Sequence, residues 1–238
     1  MKGFAVYGGL MLVLLFALVA GATAVASAND SSCVITNVRA GAMYTNIDAA
    51  VAGASGDTFT VRGTCLTNDF PENDFHVTLV GVGPNPTIAI APTADLPIIN
   101  GGFLEIRNLT LTEVNKGAPF GEIVYNTGTL IMDRNSVITG AFGAPGVMNF
   151  GILAMNSNSR ISGNTNNGSG QSAAFGGYGG GVYNFTGATM FMNDRSRITG
   201  NTAAIAGGGV YNDTGVTFQM NGHSRVVGNS PDNIFNES

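Results

Sequence analysis

Few side chains in this sequence can do chemistry, and they are scattered. Between residues 121 and 235 the acids are Glu122, Asp133, Asp194, Asp213 and Asp232. Acid–base catalysis and cation binding both need carboxylates that converge. Asp133 and Asp194 lie one and two residues after Met132 and Met192, so a strand would aim them at opposite sides. They are expected to be solvated groups beside Arg134 and Arg195, with no carboxylate pair. Arg160, Arg197 and Arg225 are different, because each directly precedes a β-branched residue in a shared setting: Ser-Arg-Ile, Ser-Arg-Ile and Ser-Arg-Val. On a sheet they would line one outer face. That face could be a stripe for an anionic glycan, or three solvated guanidinium groups with their stems laid along the surface. His76 and His223 have no partner by spacing, and two Cys with a lone His make a poor metal site.

The elements that position these groups follow from composition and repetition. The chain has 238 residues, Lys+Arg 10 against Asp+Glu 15, and a formal net charge of -5. That balance argues against nucleic acid, which needs clustered cations. Gly 35 without a three-residue period excludes collagen, and 11% charged residues exclude coiled coils. At 44% hydrophobic the chain is too apolar for disorder, and a β-leaning globular protein remains.

Residues 1–28 read as a signal peptide: Lys2, an apolar run from Leu10 to Val19, and an Ala26-Ser27-Ala28 end. After cleavage no membrane span is expected; the alternative is an uncleaved anchor, since the uncharged run from Gly3 to Asn29 is long enough to span a bilayer. In an oxidising compartment the even pair Cys33 and Cys65 is expected as a disulfide. Residues 29–75 then form an N-terminal cap and first coil. Within it Thr45 or Asn46 caps a short helix with Ile47, Ala50, Val51 and Ala54 on one face, stopped by Gly56. A strand with Phe59 and Val61 inward follows, and further strands lie at 76–82 and 103–112. In the last of these Leu104, Ile106, Leu109 and Leu111 all face inward if Asn108 makes a turn or bulge.

Residues 76–238 are expected to be coils, with clear repeats from 121. Val-Tyr-Asn at 124–126, 182–184 and 210–212 matches Val-Met-Asn at 147–149. Each is followed by a strand ending in Met132, Met155, Met192 or Met220, spaced by 23, 37 and 28 residues. Ile138, Ile161, Ile198 and Val226 come six residues later, then Gly140, Gly163, Gly200 and Gly228. A period of this length made only of strands and turns implies stacked β-coils, in which like residues form ladders about 4.8 Å apart. Asn126, Asn149, Asn184 and Asn212 are one expected ladder, because an amide donates to one neighbour and accepts from the other. Ser136, Ser159, Ser196 and Ser224 are another, at a turn, and Tyr125, Tyr183 and Tyr211 make a column. The irregularity sits in an insertion from Asn164 to Tyr178. Several N-x-S/T sequons occur, among them Asn108-Leu109-Thr110 and Asn212-Asp213-Thr214.

The block from Tyr44 to Cys65 resembles the N-terminal cap of secreted right-handed parallel β-helix proteins. The runs Gly179–Asn184 and Ser196–Ala203 resemble coils of that pectate-lyase-like superfamily, and repeats of polymorphic outer-membrane and adhesin-like proteins. The resemblance covers residues 33–235 and implies an all-β fold: a single-stranded right-handed parallel β-helix with a short N-terminal capping helix. Enzymes of that superfamily gather acids and Arg on one face, and no such cluster is visible here. The expectation is therefore a secreted or cell-surface, non-enzymatic scaffold for adhesion or matrix contact. It is monomeric, needs no cofactor, and has polysaccharide or a surface protein as partner. The alternative is a polysaccharide lyase or hydrolase, or a glycan-binding protein, on the same scaffold.

Overall fold

The computed structural model describes residues 32–72, 74, 76–94, 96–114, 121–170 and 176–238; the segment 1–28 lies outside them. Short strands and tight turns wind into a parallel β-solenoid of about 6 turns. Its first sheet has nine strands, its second seven and its third six. The chain visits them in that order, as in Phe103–Arg107, Thr110–Glu113 and Val124–Asn126. It then returns one rung later as Thr129–Asp133, Val137–Thr139 and Val147–Asn149. Successive rungs pair parallel and in register, so Leu104 lies on Leu130 and Leu130 on Leu153.

Alternation along each strand decides what is inside. In the first sheet Phe59, Leu79, Ile106, Met132, Met155 and Met192 stack as one buried column. Met suits the narrow interior because its unbranched thioether adapts to neighbours of unequal shape. In the second sheet the buried column runs from Cys65 through Ile88, Leu111, Ile138 and Ile161 to Ile198. Cutting one of these Ile or Leu side chains back to Ala would cost about 2–5 kcal/mol. Asn108 is indeed a turn (φ 50°) between Phe103–Arg107 and Thr110–Glu113, which lets Leu104, Ile106, Leu109 and Leu111 all be buried.

The N-terminal end is closed by different geometry. Val34–Asn37 lies antiparallel on Asp57–Arg62, and Met43–Tyr44 lies antiparallel on Val34–Asn37. The helix Ile47–Val51 follows, with Asn46 Oδ1 accepting from the Ala49 N–H at 2.8 Å. It ends sooner than the sequence implies: Gly53 (φ 69°) is the first left-handed residue after it, and Gly56 leads into Asp57–Arg62. Cys33 and Cys65 are joined by a disulfide, with Cα atoms 4.7 Å apart.

The corners demand special backbone. Between the first and second sheets Arg134, Ser157, Asp194 and Gly222 all have positive φ (49°, 55°, 59° and 64°). Between the third and first sheets coils approach closely, and a Cβ on Gly151 would lie 2.1 Å from the Gly128 carbonyl oxygen. Only glycine fits there.

Candidate functional site

The second sheet places the three arginines side by side. Arg160 pairs in register with Arg197, and Arg197 with Arg225, on strands Arg160–Ser162, Arg197–Thr199 and Arg225–Val227. All three are exposed, while Ile161, Ile198 and Val226 beside them point into the core. The guanidinium stems are therefore one strand spacing apart, about 4.8 Å. Two residues along the same strands, on the same outer side, lie Ser162 and Thr199. Earlier coils fill the arginine column with Thr64, Thr87, Thr110 and Val137. The backbone at this position thus has no requirement for Arg. Among the described residues the ion pairs are Arg39–Asp57, Arg107–Glu105 and Arg134–Asp133, and none involves the three-arginine column.

The acids are organised differently from the sequence expectation. Asp133 and Asp194 do not diverge: Ser157, on the coil between them, donates its Oγ–H to Asp133 Oδ1 at 2.5 Å and its N–H to Asp194 Oδ2 at 3.1 Å. The alternation rule fails because Asp194 sits in the left-handed turn, after the strand Thr189–Met192 has ended. Both carboxylates tie adjacent turns together. Among the described residues no three His, Cys, Asp or Glu side chains gather to hold a metal ion. His76 is exposed and lies against the Phe103 ring, with centroids 4.0 Å apart.

The third sheet carries an aromatic run on its outer side. Tyr183 and Tyr211 are neighbours in register, whereas Met148 separates Tyr125 from Tyr183. Phe150 and Phe185 complete the run, since Tyr125–Phe150, Phe150–Phe185 and Phe185–Tyr183 centroids are 5.0, 3.7 and 4.2 Å apart. Tyr211 continues it to Phe235 at 5.3 Å. Because the rings lie against one another, the inner members have no open face for a sugar to stack on. The Tyr183 hydroxyl donates to Asp213 at 3.1 Å. Burial, with Asp213 beside it, holds the Tyr183 phenol well above its ordinary value, and burial with Glu237 pushes Tyr211 up to about 12.

Inside the same sheet the amides form an unbroken ladder. Asn126 donates to Asn149 at 2.7 Å, Asn149 to Asn184 at 2.8 Å, and Asn184 to Asn212 at 2.7 Å. Asn100 and Asn236 extend it at either end, each at 2.7 Å. Sequence reasoning missed both, although Ile98-Ile99-Asn100 and Ile234-Phe235-Asn236 are the same apolar-x-Asn tripeptide in register. A second ladder joins Asn164, Asn201 and Asn229 at 2.9 and 3.0 Å, and a third joins Asn156, Asn193 and Asn221 at 2.9 and 3.0 Å. Ser136, Ser159 and Ser196 are fully buried, and their hydroxyls have no hydrogen-bond partner among the described residues. The insertion after Asn164 starts as an ordered strand, Thr165–Asn166, paired with Thr202–Ala203; residues 171–175 lie outside the described ones. Of the two sequons named, Asn212 is 3% exposed within the ladder, and the Asn108 amide donates to the Gly81 carbonyl at 3.0 Å.

No protein family, curated protein or solved structure matches the chain. Among the described residues no helix is long and apolar enough to cross a membrane.

Proposed function

We propose that this chain is an exported β-helix of the pectate-lyase-like kind that works without catalysis, as an extracellular or cell-surface scaffold for adhesion or matrix contact. One observation carries the reading: the column Arg160, Arg197 and Arg225, which enters no ion pair among the described residues, stands on an outer sheet face whose backbone does not require it. The interior asparagine amides satisfy one another in ladders, whereas this cationic column is left to the solvent side. The apolar leader with its Ala26-Ser27-Ala28 end and the Cys33–Cys65 disulfide support export.

Expression of the full chain in an exporting host tests the proposal. The protein is expected in the medium or on the cell surface, beginning near Asn29, and the purified product is expected to adhere to extracellular matrix. Retention inside the cell with reduced cysteines would sink it. Release of unsaturated ends or reducing sugar from pectin, lost on changing Asp194 or Arg197, would replace it with an enzymatic reading.

A further inference from the structure

We propose that Arg160, Arg197 and Arg225 form a binding track for a linear anionic polysaccharide with one carboxylate or sulfate on each sugar. The inference rests on the scaffold reading above and names the ligand of the same face.

Three like charges held one strand spacing apart repel one another, and directly opposed like charges weaken a sheet. Among the described residues no ion pair includes Arg160, Arg197 or Arg225, so no carboxylate of the chain is seated against the column. The column is also replaceable, because Thr64, Thr87 and Thr110 occupy it in earlier coils of the same sheet. Arginine is thus confined to three successive coils at a position where the fold accepts threonine. An external anion removes the repulsion.

The geometry specifies what kind of anion. Parallel rungs repeat along the solenoid axis at about 4.8 Å, a distance comparable to the advance of one sugar in an extended polysaccharide. A chain laid along the axis brings one oxyanion to each guanidinium, whose planar fork grips carboxylate or sulfate through two hydrogen bonds. Ser162 and Thr199 run parallel to the track and offer hydroxyls to the sugar's own hydroxyl groups. The formal net charge of -5 opposes loose attraction of polyanions elsewhere on the molecule, so binding is confined to the track.

The test measures binding of the purified full chain to polygalacturonate, to dextran sulfate, to neutral dextran and to single-stranded DNA by titration calorimetry. At least one of the two charged polysaccharides should bind and neutral dextran should not, and which of the two binds tells carboxylate from sulfate. Raising salt from about 0.05 to 0.5 M should weaken binding about tenfold or more. The triple exchange R160T/R197T/R225T, checked for unchanged circular dichroism, should lose at least about tenfold in affinity. The control pair R134Q/R195Q should stay within about twofold of the unaltered protein. Equal binding by the triple variant, equal loss in the control pair, or no binding to either charged polysaccharide overturns the assignment. DNA binding as tight as polysaccharide binding overturns it as well. Each of those failures leaves export and matrix adhesion unaffected, so the ligand and the scaffold reading fall separately.

Discussion

The side-chain amide of Asn126 donates to Asn149 one coil further on, and Asn149 hands the same bond to Asn184, both within a fully buried row. Each member is donor to one neighbour and acceptor from the other, so the row is satisfied only as a whole.

Truncating the middle of that row should therefore hurt more than its volume implies. Asn149→Ala leaves the Asn184 oxygen and one Asn126 donor position buried without a partner, and is expected to cost about 3 kcal/mol in urea denaturation. Asn149→Asp should be worse, because it sets a buried carboxylate against the Asn184 oxygen. A loss below about 0.5 kcal/mol for the alanine exchange would show that the ladder contributes little.

The buried serines should behave in the opposite way. The Ser159 Oγ has no hydrogen-bond partner among the described residues, so Ser159→Ala removes a desolvated hydroxyl and no bond. Thermal unfolding should show a midpoint unchanged or raised, within about 1 kcal/mol. A clear drop would reveal a partner for that hydroxyl.

The disulfide closes a loop with a sequence separation of 32. In the chain-entropy account that is worth about 4 kcal/mol, so the double exchange C33A/C65A should lower stability by that order. Denaturant titration of the oxidised protein against the double variant measures it.

High pH should loosen the third sheet. Tyr211 is held protonated up to about 12 and Tyr183 higher still, against an ordinary value of 10.0. The folded state thus binds protons that the unfolded chain has released, and stability present below pH 10 is lost as pH rises through the folded values. Absorbance titration at about 295 nm should show Tyr183 and Tyr211 ionising late, together with falling denaturant resistance above about pH 10. Tyr211→Phe should flatten that fall.

The solenoid was legible wherever its repeat stayed literal. Val-Tyr-Asn and the Met, Ile and Gly that follow mark each coil from residue 121, because stacked coils place like residues on like residues. The earlier coils hid in Ile98-Ile99-Asn100, where only the Asn is shared with later repeats, and in unequal crossovers of 23 to 35 residues between ladder members. The arginine column could be read from its setting, since one inward residue beside each Arg fixes the outward direction of the other. The meeting of Asp133 and Asp194 on Ser157 could not. It depends on left-handed backbone at Ser157 and Asp194, which are not glycines and so leave no local mark.

Ladder partners lie a whole number of coils apart along the chain, and that makes size a stepwise quantity here. Excision of residues 127–149 would join Asn126 to Phe150, the residue that already follows the same ladder position one coil on. Val182–Asn184 would then stack on Val124–Asn126 with every column intact and the Cys33–Cys65 closure untouched. The molecule can be shortened or lengthened by a rung through a single in-frame event, changing its reach while leaving its cross-section the same.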